Sequence, residues 1–192
     1  MDATAQTTLA GLLAGYEPRT GTEAVDRARA REVLAGSPVD PLVEINPWDR
    51  ALPLHATASA LIVHPDSLRV LLRWHARQQS WLQVGGHGDP GETDPLAIAL
   101  REGREETGLG DLRPWPDERL LHVVVVAVPA KGDEPAHEHA DLRFVLATDR
   151  PGAARPERPD APLRWLTFAN ARALTTEANL RETLDRAEQL FV

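Results

Sequence analysis

From His55 onward the chain is built of short apolar runs broken by polar and Pro/Gly stretches. ATASALIV (56–63), RVLLRW (69–74), LLHVVVVAV (120–128) and DLRFVLAT (141–148) predict strands. The third run is nearly continuous, which predicts burial on both faces. Before His55 the spacing is helical. Residues 5–35 predict two helices, the second capped by Thr22, with an apolar stripe of Val25, Ala28, Val33 and Leu34 and a stop at Gly36. Residues 37–53 carry four Pro and predict an irregular connector. Asp94 and Pro95 open a further helix over 95–107, with Gly108 as its stop. After a Pro-rich loop at 150–162, Trp165 and Leu166 suit a short strand. Thr167 then opens one helix, and Thr176 a last one bearing Leu180, Leu184, Ala187 and Leu190. Strands around one central helix, without βαβ repetition, predict an α+β or mixed α/β domain over 51–192, preceded by a helical extension at 1–50.

Composition narrows the function. The 192 residues are 42% hydrophobic and 26% charged, which is ordinary for a globular domain. There is no Cys, so disulfides, thiolate metal sites and thiol nucleophiles are excluded. No apolar run is long enough to cross a membrane, and the N-terminus lacks a basic region before its apolar residues, so a cytoplasmic location is expected. A net charge of −8 opposes binding to nucleic acid or to an anionic membrane.

The chemistry concentrates in GGHGDPGETDPLAIALREGREETGL, residues 85–109. Glu102, Glu105 and Glu106 fall on one face of the predicted helix, and Arg101 lies one turn before Glu105, where it can brace that carboxylate. Three neighbouring carboxylates repel one another and need a compensating charge. Hard oxygen donors suit Mg²⁺, with Mn²⁺ able to substitute. The loop from Gly85 to Glu92 can bring a backbone carbonyl and one more carboxylate to the same ion. Taken singly, an E-x-x-E-E run is usually a solvated acidic face, and a glycine pair is usually a turn.

In this order and spacing, however, the segment resembles the Nudix hydrolases. Gly86, Glu92, Arg101, Glu102, Glu105, Glu106, Gly108 and Leu109 occupy the defining positions of that family's box. The resemblance extends to the flanks, where 55–63 and 69–74 look like the family's opening strands and RWLTFANARAL like the segment before its C-terminal helix. There are two departures. Eight residues rather than seven separate Glu92 from Arg101, which places the extra residue in the loop before Asp94. Gly103 stands where an aliphatic residue is expected, at a cost of about 1 kcal/mol against Ala in a helix.

The resemblance implies a central mixed β-sheet flanked by helices, and Mg²⁺-dependent hydrolysis of a phosphoanhydride bond in a small nucleotide. It implies Glu102, Glu105 and Glu106 as metal ligands, joined by Glu92 and the Gly86 carbonyl, with Arg101 orienting them. For the general base it leaves open Glu102 or an acid outside the box, Glu157 or Asp160. A homodimer is the family's habit. The rival readings are a catalytically silent nucleotide-binding module and an isomerase, the latter disfavoured by the missing Cys.

Outside the box, His137, His139 and Asp141 alternate along a strand and predict one shared face. Substrate contact by His139 and Asp141, or a zinc site built on the trio, both fit. His87, within the box loop, either reaches substrate or caps the turn. Trp74, Trp81 and Trp115 fit a core or loop-anchoring role better than base stacking.

Overall fold

The computed structural model describes residues 9–34 and 46–191. Eight strands form one mixed sheet: β1 (Leu54–His64), β2 (Arg69–His75), β3 (Ser80–Leu82), β4 (Val84–Gly86), β5 (Arg113–Pro114), β6 (His122–Val128), β7 (His137–Ala147) and β8 (Leu163–Thr167). The centre is β1 beside β7, paired in parallel from Leu54↔Glu138 to Val63↔Ala147. The other pairings are antiparallel. β2 and β4 flank β1, β5 and β6 flank β7, and β3 and β8 extend from β2. The mixed α/β class expected from the sequence is therefore the class observed.

Alternation along the central pair builds two layers. Ala56, Ala58, Ala60 and Ile62 of β1, with Ala140, Leu142, Phe144 and Leu146 of β7, share one core. That core also holds Ile98 and Ala99 of α3 (Pro95–Thr107) and Leu9 and Leu13 of α1 (Leu9–Gly15). On the opposite face Leu61, Val63, Val145 and Ala147 meet α4 (Phe168–Leu174) and α5 (Ala178–Glu188) through Phe168, Ala171, Leu180 and Leu184. The second layer is apolar over only part of the sheet. Thr57, Ser59, Asp141 and Arg143 continue it as buried polar groups, and this opens the cleft described below.

Several expectations need adjusting. β6 is buried from His122 to Val124 and again at Val128; between them Val125 and Val126 are half-covered and Ala127 is exposed, on a strand that pairs only with β7. In α2 (Gly21–Leu34) the cap is Thr20, whose hydroxyl accepts from the Glu23 amide at 3.2 Å, and not Thr22. Val25 and Ala28 face outward; Glu23 and Ala30 are the residues turned inward. The side chains of Val33 and Leu34, Gly36 and the connector up to residue 45 lie outside the described residues. The last helix begins at Ala178, two residues after Thr176. Thr167 does cap α4, accepting from the Asn170 amide.

Glu23 is held by residues far along the chain. Its carboxylate receives Arg186 Nη1 at 2.5 Å and Nη2 at 2.9 Å, together with the Tyr16 hydroxyl. Arg186 and Glu23 are 1% and 2% exposed, so the pair has left water entirely. All five side-chain nitrogen and oxygen atoms of the pair find partners, because Arg186 Nε donates to Glu182 at 2.8 Å. Among the described residues no helix is long and apolar enough to cross a membrane.

Candidate active site

The acidic helix forms as its local signals dictate. The Asp94 side chain accepts from the Leu96 amide at 3.0 Å, Pro95 occupies the first turn, and Gly108 closes the helix in the left-handed region (φ 67°). The extra residue of the box therefore lies in the loop before Asp94, and the acidic face keeps its register. Gly103 packs against the sheet: a Cβ there would stand 3.0 Å from Leu112 and 3.5 Å from Leu146. Those two leucines fill the space that an aliphatic side chain would take, which accounts for the second departure.

The glycine pair of β4 lies under this helix. A Cβ on Gly86 would come within 2.8 Å of the Glu102 carboxylate, and one on Gly85 within 2.4 Å of Ser59. Gly85, at φ 147°, donates its amide to Glu106 Oε2 at 3.1 Å. Glu102 and Glu106 thus converge on the β4 backbone. Glu105 lies at the outer edge, its side chain 54% exposed and tied only to Arg101 Nη1 at 2.9 Å.

Two guanidinium groups supply countercharge. Arg101 Nη2 and Nε hold Glu92 at 2.9 and 3.0 Å, Nη1 reaches Glu102 at 3.0 Å, and Nη2 also donates to the His87 carbonyl at 2.9 Å. This grip holds the Glu92 carboxyl below its usual range. Arg73 of β2 pairs with Glu106 at 3.0 Å and Glu157 at 3.5 Å. Even so, burial pushes Glu106 up to about 7 and raises Glu102 as well, with the neighbouring carboxylates adding to both. Arg73 Nε is buried with no partner.

These residues fit a hard divalent cation. The donors are all oxygens, two carboxylates are kept under-compensated by burial, and a glycine leaves the backbone in contact with one of them. Of the acids outside the box, Glu157 is brought to the site through Arg73 and through its amide, which donates to the Glu106 carbonyl at 3.3 Å. Asp160 pairs with Arg158 on the surface instead.

A cleft opens beside Gly85 and Gly86, lined by Ser59, Gln83, His87, His139, Asp141 and Arg143 among others. Asp141 is fully engaged: Arg143 Nε donates to it at 2.7 Å, the Ser59 hydroxyl at 2.9 Å, and Gln83 Nε2 and Thr57 at 3.2 Å each. It therefore organises the cleft wall and has little capacity left for a ligand. With its amide nitrogen on a carboxylate, Gln83 turns its Oε1 away, buried and unpartnered.

His137 and His139 share the cleft face with Asp141, as the alternation predicts. Parallel pairing of β1 with β7 sets His55 directly opposite His139. His87, on the loop after β4, completes a cluster: its Nε2 lies 3.0 Å from His55 Nε2, and His137 Nε2 lies 3.1 Å from His139 Nε2. Burial, with smaller contributions from neighbouring imidazoles, lowers His87 to about 3 and His139 to about 4. Sequence reasoning missed His55, Arg73 and Gln83. A period-two reading of His55, Thr57 and Ser59 was the available signal for the first. Trp74 and Trp81 pack edge to face at 5.7 Å and Trp115 against Phe191 at 4.4 Å, in keeping with anchoring roles.

A family model described as the NUDIX domain matches residues 53–187. A search of the curated proteins returns no sequence match. Among solved structures, a C. elegans Ap4A hydrolase binary complex superposes with TM-score 0.56 at 19% identity, covering 70% of this chain and 95% of that one. An E. coli dihydroneopterin triphosphate pyrophosphohydrolase gives TM-score 0.55 at 20% identity, with 70% and 94% covered. A MutT NUDIX hydrolase from Burkholderia pseudomallei gives 0.50 at 23% identity, with 69% and 97% covered. At these identities the superpositions speak to the fold, while the family model speaks to the sequence that forms the box. The chain belongs to the Nudix hydrolase family, whose chemistry is the hydrolysis of phosphorus-containing anhydrides.

Proposed function

We propose that this protein is a Mg²⁺-dependent pyrophosphohydrolase of small nucleoside diphosphate derivatives, with Mn²⁺ able to substitute. The observation that carries this reading is the convergence of the partly buried Glu102 and Glu106 carboxylates on Gly85 and Gly86 at the mouth of a polar cleft. Glu102, Glu106 and the Gly86 carbonyl would hold the metal, with Glu105 and Glu92 at its outer side. Bound there, the ion would neutralise charge on the pyrophosphate oxygens and lower the pKa of a water.

The chain's own residues do the rest. Arg101 keeps Glu92, Glu102 and Glu105 in one cluster and ties them to the His87 carbonyl. Arg73 orients Glu106 and Glu157 together. Glu157 is the group we assign as general base: it lies beside the metal carboxylates yet is half-exposed, free to take a proton from water and release it to solvent. Glu102 is the competing choice, and its burial makes it the better metal ligand. Gln83, His87 and His139 line the wall of the cleft against which a substrate base would lie, and Gln83 Oε1 is the one acceptor of that wall without a partner among the described residues. The net charge of −8 favours a small nucleotide, screened by its metal, over a nucleic acid. The Ap4A hydrolase and dihydroneopterin triphosphate pyrophosphohydrolase that share the fold are named for small nucleotide-like substrates.

The test is phosphate release, coupled to a phosphatase, from dinucleoside polyphosphates, nucleotide sugars, ADP-ribose and nucleoside triphosphates in the presence of Mg²⁺. Turnover of one class that disappears in Glu106→Gln supports the reading. Binding of these compounds without turnover would instead identify a silent nucleotide-binding module. Glu157→Gln should lower kcat with KM preserved; an unaltered kcat would return the base role to Glu102.

A further inference from the structure

Two of the four imidazoles beside the cleft, His87 and His139, line its wall, and the arrangement of all four has a chemistry of its own. His55 Nδ1 lies 2.9 Å from the Leu52 carbonyl, and His137 Nδ1 lies 2.9 Å from the Pro135 carbonyl. A carbonyl can only accept, so both Nδ1 atoms carry a proton, and in the neutral rings both Nε2 atoms are bare lone pairs. Each of those lone pairs points at a second imidazole, His87 Nε2 in one case and His139 Nε2 in the other, 3.0 and 3.1 Å away. Ligand nitrogens of His55, His137 and His139 all lie within 4.8 Å of one another. In a tetrahedral zinc site, nitrogens about 2.0–2.1 Å from the ion are about 3.4 Å apart, so small ring rotations would bring these donors into range.

We propose that His55, His137 and His139, with His87 as fourth ligand, form a second metal site that takes a Zn²⁺-class transition-metal ion and is distinct from the carboxylate site. Imidazole nitrogen selects such ions, whereas the oxygen donors of α3 select Mg²⁺. The orienting carbonyls on His55 and His137 are the outer partners that metal-binding histidines ordinarily possess. Three of the four ligands stand on adjacent central strands in fixed register, a rigid frame of the kind such sites require. Asp141, the carboxylate that the H-x-H-x-D spacing offers, is replaced in this role by His55, because Arg143 and three other donors already occupy it. Glu134, 3.6 Å from His137 Nε2, is drawn away by Arg77 at 2.6 Å. The basic group acting on His55 and His87 is Arg50, balanced by Asp49 near His55 and Asp141 near His139. The inference stands apart from the hydrolase reading, since it concerns binding and not turnover.

The experiment uses tag-free, metal-stripped full-length protein dialysed against Zn²⁺ or Co²⁺ in millimolar Mg²⁺. Bound metal is read by mass spectrometry and ligand geometry by the visible absorption of Co²⁺. The expected result is one equivalent of Zn²⁺ retained and an intense tetrahedral-type Co²⁺ spectrum. Glu106→Gln should keep both. His137→Ala should weaken binding by more than about 100-fold, beyond the loss that follows removal of an outer partner. His139→Ala should do the same, and the melting temperature of each variant without metal verifies that it folds. Absence of retained metal would overturn the proposal. So would binding that survives His137→Ala and His139→Ala, or binding lost in Glu106→Gln alone.

Discussion

The Arg186–Glu23 and Arg73–Glu106 pairs, both largely withdrawn from solvent, are built to opposite standards. Arg186 and Glu23 are sealed from water and fully satisfied, with Tyr16 and Glu182 absorbing the remaining hydrogen-bonding capacity. Arg73 and Glu106 meet at 3.0 Å, yet Arg73 Nε has no partner and Glu106 is pushed up to about 7. A closed pair offers nothing to a third charge. An open pair, in which burial outweighs the countercharge, is one that a divalent cation would stabilise. Contact distance alone does not separate the two; completeness of the hydrogen bonding does.

The largest effect expected from breaking this contrast is on the closed pair. Glu23→Ala leaves Arg186 buried without its main partner and should cost about 3–5 kcal/mol in urea unfolding. A loss under about 1 kcal/mol would mean that the pair is not sealed in solution. Glu106→Gln should behave in the reverse manner, with kcat falling about 10³-fold for the several kcal/mol that a metal ligand supports. Its melting temperature should fall less than that of Glu23→Ala, because Arg73 keeps Glu157; an equal fall would erase the distinction.

A third prediction tests how dry the closed region is. Burial, reinforced by Arg143 and Arg186, lowers His122 to about 2. The folded protein therefore holds His122 neutral, while the unfolded chain takes up a proton below about pH 6.5. Stability due to this group is complete above pH 6.5 and falls as pH drops, by up to about 1.4 kcal/mol per pH unit. His122→Asn, which keeps a donor toward Thr183, should remove that share of the slope between pH 6.5 and 5. If the slope is unchanged, water reaches His122 in the folded state. The smallest effect concerns the open region. Gln83→Leu removes the unpartnered acceptor and should raise KM about 5-fold, the worth of one neutral hydrogen bond, with kcat preserved; an unchanged KM would remove Gln83 from substrate recognition.

What the sequence revealed follows the range of the forces involved. Helix α3 was legible because its determinants are local: the Asp94 cap, Pro95, the glycine stop and the spacing of three glutamates. The shared face of His137, His139 and Asp141 was legible because alternation is a property of any strand. Neither reading could supply His55, since its place opposite His139 depends on a parallel pairing across more than eighty residues. Arg73 was hidden for the same reason. Val25 and Ala28 of the stripe expected on α2 face outward, and an inward residue there is Glu23, a choice that makes sense only once Arg186 is in place. Gly103 illustrates the converse: a departure from the family's box that looks costly within its own helix is matched by Leu112 and Leu146 from elsewhere.

The Glu23–Arg186 pair also has a bearing on how the chain assembles as it is made. The two residues are separated by 163 positions, so α2 leaves the ribosome long before its partner exists. Until α5 is synthesised, seating α2 on the sheet would bury a carboxylate without its counter-ion. Domains tend to fold as units once their chain has emerged, and here a single buried charge enforces that delay.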